Sequence, residues 1–134
     1  MTARFHLQPL LDLANTRTDE AARKLGELVA AERDVEQKLK MLEDYRQEYN
    51  ERFVQAARDG LSPDAWRNYS AFINKLDDAI GVQRKVVEQS RAKTVEGQQA
   101  WLAQRTKLQA FDTLSQRHQQ VVNRQEARQE QKQS

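Results

Sequence analysis

The sequence predicts an all-α protein: a long two-helix antiparallel coiled coil, or helical hairpin, with its turn near residues 59–63. Three observations carry that reading. Apolar residues recur at alternating steps of three and four along both halves of the chain, which is the spacing of a coiled-coil seam. Roughly half of the 134 residues are Ala, Glu, Lys, Leu or Arg, the composition of long helices. Between the two periodic halves stands one stretch, "ARDGLSPDAW" (57–66), with stop and start signals in the correct order.

The first helix is expected over about residues 7–59. Its a positions are Leu11, Thr18, Leu25, Glu32, Leu39, Arg46 and Phe53. Its d positions are Leu7, Ala14, Ala21, Leu28, Val35, Leu42, Tyr49 and Ala56. Glu32 and Arg46 are polar at a, which weakens the seam locally and can fix its register.

At the break, Gly60 can adopt the left-handed conformation that closes a helix. Ser62 suits the N-cap of the next helix, Pro63 its first turn, and Asp64 the positive end of its dipole. Leu61 and Trp66 have the spacing of a hydrophobic staple. So short a connection makes the two helices antiparallel neighbours. Facing residues should then have numbers summing to roughly 122, with Tyr49 near Ile73 and Leu42 near Ile80.

The second helix is expected over about 63–124, with a frayed tail over 125–134, where "RQEARQEQKQS" has no apolar face. One register runs Trp66, Ile73, Ile80, Val87, Thr94, Trp101, Leu108, Ser115, Val122. Its companion runs Tyr69, Leu76, Gln83, Ser90, Gly97, Gln104, Phe111, His118 and loses apolar character between Gln83 and Gln104. That middle section should be the looser part of the seam. Gly97 costs about 1 kcal/mol relative to alanine in a helix interior. Residues 1–134 are expected to form a single hairpin domain, with helix lengths of about 75 and 90 Å from the rise per residue.

Composition excludes several kinds of chemistry. There is no cysteine, hence no disulfide and no thiolate nucleophile or ligand. No glycine-rich phosphate loop is present, and His6 and His118 stand in no metal-ligand spacing. Acidic side chains on long helices are ordinarily solvated or paired with Lys and Arg one turn away. The reading is therefore not an enzyme, with no catalytic, cofactor-binding or metal-binding residues. No apolar run suits a signal peptide or a membrane span, so a cytoplasmic protein without direct membrane insertion is expected.

Net charge is +2, with −3 over residues 1–81 and +5 over 82–134. The basic groups of the second half are dispersed among glutamines, whereas a nucleic-acid footprint gathers them on one face. No nucleic acid is expected as a partner, although a basic RNA-binding arm is one alternative reading.

The informative excess is aromatic and lies behind the turn. Tyr45, Phe72 and Ala79 fall at g, beside the d residues Leu42, Tyr49 and Leu76, and the two rows share one level of the hairpin. Lys38 and Gln83 continue the rows outward. Aromatic residues at g can simply shield the edge of a seam. They can also form a docking patch, since Tyr and Phe are enriched at interface cores. A holding chaperone for unfolded chains is a further alternative for such a stripe.

The stretches "DEAARKLGEL", "KLKMLEDYRQEY", "WRNYSAFINKLDDAI" and "LQAFDTLSQR" resemble the FliJ family of flagellar export proteins, from about Leu7 to Gln120. The resemblance implies a soluble, central-stalk-like coiled coil of the flagellar type III export apparatus. It would bind the export ATPase FliI at the centre of its ring and promote ring assembly. It would also contact the export gate protein FlhA and escort flagellar export chaperones, at the cytoplasmic side of the inner membrane. By the same resemblance Leu42, Tyr45, Tyr49, Phe72, Leu76 and Ala79 would contact the gate. Lys38 and Gln83 depart from that pattern. The end formed by the two termini would enter the ATPase ring. A capped hairpin that completes its own seam is expected to be a monomer when alone.

Overall fold

The computed structural model describes residues 4–133 and consists of two helices packed against each other as an antiparallel hairpin. Helix α1 spans Gln8–Asp59 and α2 spans Pro63–Gln133. The ends of the expected single domain, residues 1–3 and 134, lie outside the described residues.

The turn is built as its residues dictate. Gly60 has φ +98°, a conformation that side-chain-bearing residues rarely adopt, and its N–H donates to the Ala57 carbonyl at 3.3 Å. The Ser62 hydroxyl accepts from the Ala65 N–H at 3.2 Å, the N-cap bond to N3, and the Trp66 N–H closes the first α-turn on the Ser62 carbonyl at 2.9 Å. Asp64 pairs with Arg67 at 3.2 Å. Trp66 differs from its expected seam role. Its indole packs on Phe53 of α1 at 5.0 Å between ring centroids, yet the residue remains 51% exposed. It occupies the seam's last layer before the turn, where no further layer covers the ring.

The packing divides into two compact units. One comprises Glu27–Val95, and the other, among the described residues, comprises 4–26 with 96–133. In the Glu27–Val95 unit the most buried residues are Leu76, Ile80, Gln83, Val87 and Thr94, all at a or d. Facing pairs obey the expected register: Phe53 meets Tyr69 and Thr94 meets Leu28, and both pairs of numbers sum to 122.

The polar section of this seam is tied and not loose. Gln83 is 6% exposed and its Nε2 donates to the Val35 carbonyl at 2.9 Å. The Thr94 hydroxyl is shared between the Ser90 carbonyl at 3.1 Å and the Leu28 carbonyl at 3.4 Å. These side chains reach across the interface to helical carbonyls, whose second lone pair is available. Buried polar groups are thereby satisfied at positions where the apolar count alone suggests weakness.

In the other unit, Leu11, Ala14, Thr18 and Val122 are buried, Gly97 is buried as well, and Phe5 packs on His118 at 5.5 Å. Thr18 turns its hydroxyl back to the Ala14 carbonyl at 2.7 Å, so a polar a position costs the seam no orphaned group. The Oε1 of Gln104 is buried there without a hydrogen-bond partner.

Helix α2 also continues past residue 124, through the segment expected to fray. Residues 123–133 are exposed but carry neither Gly nor Pro. Gln, Arg, Glu, Ala and Lys are all good helix formers, so propensity extends the helix beyond the end of its apolar face.

Candidate functional site

The two edges of the seam in the Glu27–Val95 unit differ chemically. Along one edge lie the e positions, which carry charge. Glu36 pairs with Arg91 at 3.2 Å and Glu43 with Arg84 at 3.8 Å. Asp77, also at e, receives two hydrogen bonds from Arg46, one from Nε and one from Nη2. The hydrogen bond from Arg46 holds the Asp77 carboxyl below its ordinary value of 3.8; it outweighs the opposing desolvation, and the charges of Arg46 and Arg84 add lesser help. Arg46 therefore escapes burial at its a position by reaching sideways to an acid on the edge.

The opposite edge is apolar. Over its middle stretch its g positions are Tyr45 on α1 and Phe72, Ala79 and Val86 on α2, and charged g residues, Lys38 and Arg52 on α1 and Lys93 on α2, bound that stretch. Phe72 is the hub of the ring packing, with centroids 4.4 Å from Tyr49 and 6.1 Å from Tyr45, the latter edge-on at 86°. Tyr49 also meets Tyr45 at 6.3 Å and Tyr69 at 5.3 Å. A continuous aromatic row thus runs Tyr45, Phe72, Tyr49, Tyr69, Phe53, Trp66. Each such pair adds about 0.5–1.5 kcal/mol beyond its area burial, so the row is rigid as well as apolar.

The six residues expected at the docking surface fall into two groups. Tyr45 is exposed, at 44%, while Leu42, Tyr49, Phe72 and Ala79 are half-buried, each presenting part of its surface. Leu76 is 7% exposed and belongs to the seam. It supports the surface from beneath. Gln83 likewise serves the seam through its bond to Val35, and Lys38 lies at the rim of a shallow open concavity of about 520 Å³ on α1. That concavity is lined by Met41, Leu42, Asp44, Tyr45 and Glu48 as well.

Two exposed residues beside this edge escaped the sequence reading, Met41, at 71%, and Val82, at 64%; Val54 and Val95, away from the edge, are exposed as well. Met41 and Val82 occupy c, the position next to g on the helix surface, and they flank the apolar edge from its two sides. The signal was present, an apolar residue at c beside an apolar g, but a search confined to a, d and g passes over it.

Among the described residues no group of three His, Asp or Glu side chains is placed to hold a metal ion. Among the same residues no helix is long and apolar enough to cross a membrane. What the arrangement offers is a surface: a helical hairpin with one ionic edge, one aromatic edge, and solvent-facing anchors beside its turn. The fold defines an all-α coiled-coil protein, a helical hairpin.

The family model for the flagellar FliJ protein matches residues 3–134. The chain is 36% identical over 111 residues to the flagellar FliJ protein of Salmonella typhi and 35% identical over the same length to that of Escherichia coli K12. In both cases the match covers 83% of this chain and 76% of the relative. The chain belongs to the FliJ family and is a flagellar export component.

Proposed function

We propose that the chain is a non-catalytic adaptor of flagellar export that joins the export ATPase FliI to the gate protein FlhA. The aromatic edge of the Glu27–Val95 unit is the gate-docking surface, with Tyr45 and Phe72 at its centre and Leu42, Tyr49, Leu76 and Ala79 around and beneath them. The unit containing both chain ends meets the ATPase ring and promotes its assembly. Escort of flagellar export chaperones belongs to the same role, at the cytoplasmic face of the inner membrane.

One observation carries this reading: the two edges of a single seam have opposite chemistry. Arginines and acids pair along the e edge, whereas Tyr45, Met41 and Val82 stand open to solvent along the g edge. A shield for the seam needs half-buried g residues only. It does not need Met41 and Val82 one position further out, where both are mostly exposed. An exposed apolar cluster with a rigid aromatic floor has the anatomy of an interface centre.

Replacing Tyr45, Tyr49 and Phe72 together by alanine tests the assignment. Gate binding should be lost while helical content by circular dichroism and binding to the ATPase persist. Because Tyr49 also packs in the seam, Tyr45→Ala alone serves as the milder variant, with gate affinity expected to fall about tenfold, as for an exposed aromatic anchor. Gate binding unchanged in both variants would refute the assignment of this edge.

A further inference from the structure

The concavity on α1 has a chemical pattern that the docking proposal does not use. Its apolar lining is Met41, Leu42 and Tyr45. The Tyr45 ring is braced from behind by Phe72 and Tyr49, so its outer face is presented in a fixed orientation. On the outer rim stand Asp44 and Glu48, at f and c, one helical turn apart.

These two acids differ from those on the other edge. Glu36, Glu43 and Asp77 are each paired with an arginine of the partner helix. Neither Asp44 nor Glu48 forms an ion pair among the described residues. Two carboxylates that form no ion pair thus border an exposed apolar depression; Lys40 and Arg52 stand one turn from them along the helix, and the single cation of the lining, Lys38, sits about two to three turns away.

We infer that this concavity seats an amphipathic partner segment in which a large apolar side chain is followed, within about one turn, by lysine or arginine. The apolar side chain rests on Met41, Leu42 and Tyr45, and the cation meets Asp44 and Glu48. Methionine suits such a lining, because its unbranched, polarisable side chain adapts to the shape placed on it. The exposed acids act at the rim of the contact, where charge governs encounter rate, salt dependence and register. This inference rests on the reading of the aromatic edge as a docking surface and specifies the chemistry of its occupant.

The chain itself supplies the probe. It has two methionines, the other being residue 1, so the methyl resonance of Met41 is readily assigned in full-length protein labelled at methionine. Two amphipathic helical peptides with the same apolar face are titrated in turn, one carrying lysine and arginine beside that face and the other glutamate. The Met41 methyl should shift with the cationic peptide at an affinity about tenfold or more above that of the acidic one. The difference should shrink between about 50 mM and 500 mM salt, as screening shortens the reach of the rim charges. In the Asp44→Asn, Glu48→Gln variant, which changes two exposed side chains isosterically, the two peptides should bind alike. Equal response of the native protein to both peptides, or discrimination that survives the double variant, would overturn the inference. Gate binding measured in parallel separates the two proposals. Peptide discrimination without gate binding would remove the gate as partner and leave the occupant's chemistry standing. Gate binding without peptide discrimination would do the reverse.

Discussion

At the scale of single residues, polar side chains in the seam play two distinct parts. Gln83 is buried and donates to the Val35 carbonyl, an acceptor already engaged within its own helix. Truncating it to alanine removes that bond and leaves a void, so Gln83→Ala should cost about 1–3 kcal/mol in chemical denaturation. Leucine is the ordinary d residue of such a seam, and removing the amide orphans no buried donor. Gln83→Leu should therefore be neutral or stabilising in the same experiment, at the expense of one cross-helix register mark. Asp77 is the second case. Its folded carboxyl titrates below its ordinary value because Arg46 bonds the ionised form. Its contribution is then complete above the ordinary value of 3.8 and is lost as pH falls through the lowered folded value. Acid unfolding followed by circular dichroism should show this: the Asp77→Asn variant lacks that part of the pH dependence, is less stable than the native chain above the ordinary value, and converges with it as pH falls.

At the scale of elements, the turn decides the pairing of α1 with α2. Gly60 holds φ +98° with open space around its Cα, so Gly60→Ala meets no clash with neighbours and pays only the left-handed penalty. The expected loss is about 1–2 kcal/mol in thermal or chemical unfolding. Ser62→Ala, which deletes the N-cap acceptor of α2, should cost about 1 kcal/mol. Both helices were legible in the sequence because a period of three and four residues records one buried stripe per helix. The heptad positions of α1, from Leu11 to Ala56, are all buried or half-buried, as the pattern requires. The far end of α2 was not legible in this way. Apolar periodicity reports packing, whereas the last turns of α2 rest on intrinsic helix propensity, which leaves no apolar mark.

For the molecule as a whole, membership of the FliJ family gives a setting to surfaces that the fold alone leaves general. The family match and the two enterobacterial relatives make the chain a flagellar export component. Among the described residues, each helix turns its a and d stripe to the other. Sedimentation equilibrium should accordingly return a monomer for the isolated chain. A concentration-dependent dimer would mean that copies share the aromatic edge. The excess positive charge of residues 82–134 makes a separate test: a dispersed charge should give only weak, strongly salt-sensitive binding to RNA.

The amino-acid sequence by itself determined the fold class, the register, the position of the turn and the family, since each is written in local spacing or in the order of residue types. It also put Tyr45, Tyr49 and Phe72 on one level of the hairpin. Only the tertiary structure decided which members of the stripe face outward. Leu76 and Gln83 are absorbed by the seam, while Met41 and Val82 stand beyond it. The physical reason is that exposure belongs to a pair of helices and not to either one. Whether a d or g side chain is covered depends on the crossing partner. Whether an edge acid such as Glu36 or Glu43 is paired depends on where the partner helix carries arginine.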